Sequence, residues 1–256
     1  MRINLHTHTP RCRHAVGTER EYIEAALEAG MEILGFSDHA PMCFPGDYYS
    51  IMRMYPEETA GYFETLLTLR EEYRGKIQIL IGMEIEYYPD LFRPTLEFLS
   101  QFPLEYLILG QHYLYGEEGD PGSSVPTEDP ERLRQYVDQC CEALETGKFT
   151  YFAHPELIRF TGEKDLYIAE MERLCRKAKE TETPLELNML GYGAKRHYPD
   201  PCFWAIAGRI GNTAVIGVDA HKPQALLAKQ AEDYCRDLAD SCGITLLESA
   251  PLRRQF

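Results

Sequence analysis

Positive charge is what this chain is short of. Its 256 residues carry 26 lysines and arginines against 41 aspartates and glutamates, a formal net charge of −15. That deficit argues against a nucleic-acid footprint, which needs a basic stripe, and against attraction to an anionic membrane surface. There is no run of about 18 apolar residues, so no transmembrane helix is expected. The opening residues lack a basic-then-apolar signal segment, and a cytoplasmic location is the expectation. No CxxC pair occurs among the eight cysteines, and their spacings fit no zinc-finger template. They read as free thiols packed as small apolar residues. No low-complexity linker interrupts the chain. With 44% hydrophobic and 26% charged residues, it reads as one globular domain over 1–256. An acidic chain that handles an anionic substrate needs local positive charge, from metal ions or clustered arginines.

What is present is a regular alternation. Strand-like runs fall at 3–8, 31–39, 76–88, 105–113, 149–155, 184–188 and 212–221. Helical patterns fall between them: from the capping box of Thr18 and Glu21 to Gly30, then 57–74, about 90–101, 127–147 with Pro130 in the first turn, 163–180 and about 200–210. A last helix is expected to start near Pro223. The strands are apolar nearly throughout, as when both faces are covered. Such alternation implies a parallel sheet with crossover helices. Seven units in one chain of this length fit an α/β fold closed as a (β/α)7 barrel. The stretches 40–56, 114–126 and 189–199 read as long loops around a site.

In such a barrel the chemistry sits at the C-terminal ends of the strands. There the predicted strands carry His6 and His8, Asp38 and His39, Glu84 and Glu86, Gln111 and His112, His154, Glu186 and Asn188, and Asp219 and His221. Residues i and i+2 share a strand face, so His6 and His8 can reach one ion, as can Asp219 and His221. Six of the eight histidines lie at strand ends; His14 and His197 lie in loops on the same rim. A single histidine is ordinarily a surface or satisfied core residue; all eight on one rim are not. Imidazole and carboxylate suit zinc, manganese and iron, and so many ligands exceed the needs of one ion. Asp38 reads equally well as an orienting partner, Glu86 as an arginine partner, and Asn188 as a hydrogen-bond donor to the site. Cys12 lies inside the histidine cluster, where a packing thiol is the ordinary reading.

The ordered motifs HTHT, SDHA, GMEIEY, GQHY, AHPEL, ELN and GVDAHKP resemble the PHP (polymerase and histidinol phosphatase) superfamily over residues 3 to about 223. GQHY, AHPEL and RHYP resemble its histidinol-phosphate phosphatase family most. The resemblance implies a distorted (β/α)7 TIM-like barrel (the PHP fold) holding three divalent ions of zinc, manganese or iron. One would be held by His6, His8, Glu84 and Asp219. A second would use Glu84 as a bridge with His112 and His154, and a third would use His14, His39 and His221. It implies hydrolysis of L-histidinol phosphate, in histidine biosynthesis. Glu84, Asp219 and His221 are the candidate catalytic groups, with Asp219 or His221 the candidate to protonate the leaving alkoxide, though a metal-bound residue is a compromised acid. The chain departs from the family pattern at Gly193, where members often carry an arginine.

A phosphomonoester also calls for arginine forks that match its oxygens. Arg159 in HPELIRF and Arg196 in AKRHYP are the candidates, and His197 reads either as a third substrate contact or as a brace of the loop. Two other readings compete: a phosphoesterase for another small phosphomonoester or a nucleotide, and a metal-binding protein without catalysis. A strand-tracking nuclease would want a basic or aromatic groove, which the acidity disfavours.

Overall fold

The computed structural model describes residues 1–46, 48–248 and 252–253. Among these, the strands are β1 (Ile3–Asn4), β2 (Ile33–Phe36), β3 (Gln78–Ile85), β4 (Tyr106–Leu109), β5 (Tyr151–Phe152), β6 (Leu185–Asn188), β7 (Thr213–Gly217) and β8 (Thr245–Leu246). They form one parallel sheet in the order β1 to β8. The helices between them are α1 (Glu19–Glu28), α2 (Thr59–Glu72), α3 (Pro89–Leu99), α4 (Pro130–Glu145), α5 (Lys164–Glu180), α6 (Met189–Gly193), α7 (Pro201–Ile210) and α8 (Lys229–Cys242). None of them is long and apolar enough to cross a membrane.

The helix boundaries follow local chemistry. Thr18 and Glu21 form the reciprocal capping box that opens α1. Asp129 accepts from the Glu131 amide at 2.9 Å, and Pro130 occupies the first turn of α4. The helix expected near Pro223 begins instead as a 3-10 turn over Pro223–Leu227, and α8 follows from Lys229. The segment expected as a loop at 189–199 starts with the short α6, because Asn188 Oδ1 accepts from the Gly191 amide at 3.0 Å.

The seven expected strands are present, and β8 is an addition. Among the described residues it pairs with the start of β7, Thr213 with Thr245 and Ala214 with Leu246. At the other end of β7, an isolated parallel bridge joins Thr7 to Ala220. His8 N donates to the Ala220 carbonyl at 2.9 Å, and Ala220 N to the His6 carbonyl at 3.2 Å. The ladder thus closes at the rim between the chain's first and seventh strands, while β8 sits at the base. This is the distortion of the barrel.

A main core lies between the sheet and the helices. A smaller cluster of Leu5, Leu80, Tyr106, Ile108, Tyr151, Ala153 and Val215 fills the barrel interior. Tyr106 is fully buried, with its hydroxyl 2.8 Å from the Leu5 carbonyl and 2.9 Å from that of Phe36. Truncating a core ring of this size costs about 3–5 kcal/mol. Tyr106 therefore ties together the segments that lead from β1 to His6 and from β2 to His39.

Candidate metal centre

Strand ends aim the candidate side chains. Beyond β1 the chain leaves the ladder at His6, and Asn4 takes over the bonding. Its side chain donates to the His6 carbonyl at 3.1 Å and to Thr7 Oγ1 at 2.8 Å, and accepts from Val218 N at 2.9 Å. His154 and Asp219 adopt φ of +33° and +54°. Non-glycine residues in that region are uncommon and mark strained functional positions. The turn explains why the strands expected at 149–155 and 212–221 stop short at Phe152 and Gly217. Two glycines make room for carboxylates: a Cβ at Gly110 would collide with Glu84 Oε1, and one at Gly217 with Glu186 Oε1.

The result is a convergent cage. His6 Nε2 lies 3.4 Å from Glu84 Oε2 and 3.5 Å from Asp219 Oδ1. His8 Nε2 lies 3.4 and 3.2 Å from the same two oxygens. Four donors about 2.1 Å from a tetrahedral ion are spaced about 3.4 Å apart. His6 Nε2, His8 Nε2 and Glu84 Oε2 are buried and have no hydrogen-bond partner, as ligand atoms would be before an ion is added.

The other carboxylate oxygen, Glu84 Oε1, lies 3.0 Å from His154 Nε2 and 3.6 Å from His112 Nε2. A third group, His14, His39 and His221, has donor atoms within 4.8 Å of one another. His14 Nδ1 is tied to the Cys12 carbonyl at 2.7 Å and His221 Nδ1 to the Asp219 carbonyl at 3.1 Å. His39 Nδ1 also lies 3.1 Å from Glu84 Oε2, so this group adjoins the first. Cys12 is near His8 and His221, but burial pushes its thiol up to about 12. In the metal-free chain it packs as a small buried thiol.

Electrostatics divide the site in two. Asp38, Glu84, Glu86, Glu186 and Asp219 bring five carboxylates into buried positions around the mouth. Burial works against the charge on Glu84, yet His112, His6 and His39 hold its carboxyl well below the usual range. Asp219 is likewise held low, by His6, His8 and His221. Burial opposes charge on His8 too, but Asp219, Asp38 and Glu84 raise it to about 9; His6 is raised by Glu186, Asp219 and Glu84. Burial and neighbouring imidazoles push His221 down to about 3 and lower His14 and His39. The inner set asks for cationic charge, and the outer set offers neutral imidazole, the ligating form. The residues fit divalent cations.

Around these groups stands a layer of orienting partners. Glu186 Oε1 takes His6 Nδ1 at 2.8 Å, and its Oε2 accepts from His154 N at 3.1 Å and Asn188 Nδ2 at 2.9 Å. Asn188 Nδ2 also reaches Asp219 Oδ2 at 3.1 Å. Asp38 takes the orienting role, accepting from Thr9 and from the His39 amide and facing His8 Nδ1 at 3.5 Å. Glu86 takes His112 Nδ1 at 2.8 Å and pairs with Arg53.

The mouth opens as a cavity of about 380 Å³. Arg196 lines it, its Nη1 bonded to the Tyr198 hydroxyl at 2.8 Å, beside Met52, Tyr113, Leu157 and Leu190. Arg159 and His197 do not line this cavity. They face a neighbouring hollow with Lys164, Tyr167 and Asp200, where His197 Nε2 bonds the Leu157 carbonyl at 3.0 Å and braces the loop. Arg53 and Tyr198 were not singled out from the sequence. Tyr198 lies in the RHYP segment and could have been; Arg53 carries no local signal.

The PHP domain model matches residues 4–189, and the chain belongs to the PHP domain family. Among curated proteins it is 30% identical over 248 residues to a probable histidinol-phosphatase of Deinococcus radiodurans, covering 94% of each chain. It is 32% identical over 117 residues to a histidinol-phosphatase of Bacillus subtilis, 43% of each chain. Its fold is similar to the crystal structure of the Lactococcus lactis histidinol phosphate phosphatase complexed with zinc, L-histidinol and phosphate. That likeness has a TM-score of 0.76 at 20% identity, covering 97% of this chain and 96% of the other. A putative histidinol phosphatase from Listeria monocytogenes gives the same TM-score at 19% identity, over 91% of this chain and all of the other.

Proposed function

We propose that this protein is a metal-dependent phosphatase that hydrolyses L-histidinol phosphate, working as a single barrel domain with three divalent ions. The observation that carries the metal reading is the spacing of 3.2–3.5 Å among four buried donors from His6, His8, Glu84 and Asp219. The substrate reading is supported by the relatives named histidinol-phosphatase and by the Lactococcus structure with L-histidinol and phosphate.

Bound at these residues, the ions would polarise the phosphoryl group and acidify water. Glu84 belongs to the inner sets through both oxygens and so fixes their separation. Arg196, anchored by Tyr198, presents a fork of donors to a phosphate dianion. Met52, Tyr113, Leu157 and Leu190 give the leaving alcohol an apolar wall away from water. Asp219 and His221 border the same cavity, and both stay unprotonated at neutral pH, which suits ligands better than acids.

Phosphate release from a panel of esters tests the reading. L-histidinol phosphate should be turned over with a kcat/KM at least about 100-fold above an aryl phosphate or a nucleotide, only with zinc, manganese or iron present. Equal turnover of all the esters, or none with any metal, rejects it.

A further inference from the structure

Arg53 lies in the 40–56 loop with only 2% of its surface exposed. Its Nε donates to Glu117 Oε1 at 2.6 Å, its Nη1 to the Ala40 carbonyl at 2.9 Å and its Nη2 to Glu86 Oε2 at 2.9 Å. The other oxygen of Glu86 takes His112 Nδ1 at 2.8 Å, and His112 Nε2 faces Glu84 Oε1 at 3.6 Å. Glu117 also accepts from the Tyr48 hydroxyl at 3.2 Å. One guanidinium therefore joins the 40–56 loop, the end of β3 and the 114–126 loop.

A buried ion pair is a poor way to gain stability, because apolar side chains of the same volume serve as well or better. The charge here has another use. An imidazole that donates Nδ1–H to a carboxylate keeps its lone pair on Nε2, the atom aimed at the cavity. The rigid fork of Arg53 occupies Glu86 Oε2 and leaves Oε1 for that proton. A lysine or an apolar residue could not hold Glu86, Ala40 and Glu117 in one plane.

We propose that Arg53 is a positioning residue for the metal centre. Through Glu86 it sets the tautomer and direction of His112, and through Glu117 it ties the two long mouth loops to that ligand. The proposal rests on the reading of His112 as a ligand. Those loops supply Met52, Pro121, Gly122 and Ser124 to the cavity wall, so loop position and the state of His112 are coupled.

The test uses the full chain with Arg53→Met, Arg53→Lys and, as a control, His112→Ala. In the metal-free protein, at a pH high enough to leave His112 neutral against the pull of Glu84 and Glu86, long-range proton–nitrogen NMR of His112 should show one tautomer in the wild type and a mixture in Arg53→Met. Chelator competition with zinc should show the ion shared by Glu84, His112 and His154 held about 10–100-fold more weakly. Arg53→Lys keeps a charge without the fork and should recover part of both. A folded Arg53→Met with a single His112 tautomer and wild-type zinc affinity overturns the proposal. If Arg53→Met does not fold, Arg53→Lys decides: a mixed tautomer supports it and a wild-type one overturns it. Unchanged zinc binding in His112→Ala rejects the ligand reading itself, whatever Arg53 does.

Discussion

His6 Nδ1 lies 2.8 Å from Glu186 Oε1, and that contact turns the ring so that Nε2 faces Glu84 and Asp219. Glu186→Gln keeps an oxygen at that place but removes the charge that fixes the tautomer. Affinity for the ion at His6 and His8 should fall about 10–100-fold, measured by competition with a chelator. An affinity within a factor of two of the wild type would show that Glu186 does not orient the ligand.

Gly110 leaves the space that Glu84 occupies. Gly110→Ala should displace that carboxylate and, on the proposed reading, weaken both donor sets that use it, at a cost in stability of about 1–3 kcal/mol. Elemental analysis after dialysis checks the metal count. Gly193→Ala is the control, because a Cβ there meets nothing within 4 Å; a loss of metal in both variants would dissociate the effect from Glu84.

His8 is raised to about 9 in the folded, metal-free chain, against an ordinary value of about 6.5. A group raised on folding contributes stability that is complete below its unfolded value and is lost as pH rises through the folded one. The metal-free protein should therefore lose melting temperature between about pH 6.5 and 9. On the proposed reading, metal uptake near neutral pH should expel protons from His6, His8 and His112, all three raised by the surrounding carboxylates. Calorimetry in buffers of different ionisation enthalpy counts them. A count of zero near neutrality contradicts the raised values.

Arg196 lines the mouth and Arg159 does not. Arg196→Ala should raise KM for the phosphoester about 10–100-fold with metal content unchanged, as loss of a charge-assisted pair requires. Arg159→Ala should have the smaller effect. Steady-state kinetics on both variants, with elemental analysis, separates them; loss of metal in Arg196→Ala would contradict a substrate role.

The strand ends were legible because period-two spacing and the barrel rule act on sequence directly. His6 with His8, and Asp219 with His221, announce themselves by i, i+2 placement at the end of an apolar run. Glu186 and Asn188 were visible on one face, but the division of labour was not, since it depends on Gly217 admitting Glu186 beneath β7. Arg53 could not be read at all, because its partners lie 33 and 64 residues away and nothing local distinguishes it from a solvated arginine. Arg159 illustrates the reverse case. Its spacing from His154 is attractive, but its carbonyl pairs with the Thr127 amide and its own amide with the Ser123 carbonyl, and the residue lines the next hollow rather than the mouth. The eighth strand is two residues long and sits at the base, too short to leave a periodic signal.

The bridge between Thr7 and Ala220 draws the first and last ligand-bearing segments of the chain together. His6 and His8 approach the inner cage from one edge of the ladder and Asp219 from the other, so their donor atoms can meet only once the sheet has curled far enough to make that bridge. A change that loosened the seam would part the donors without altering any of them.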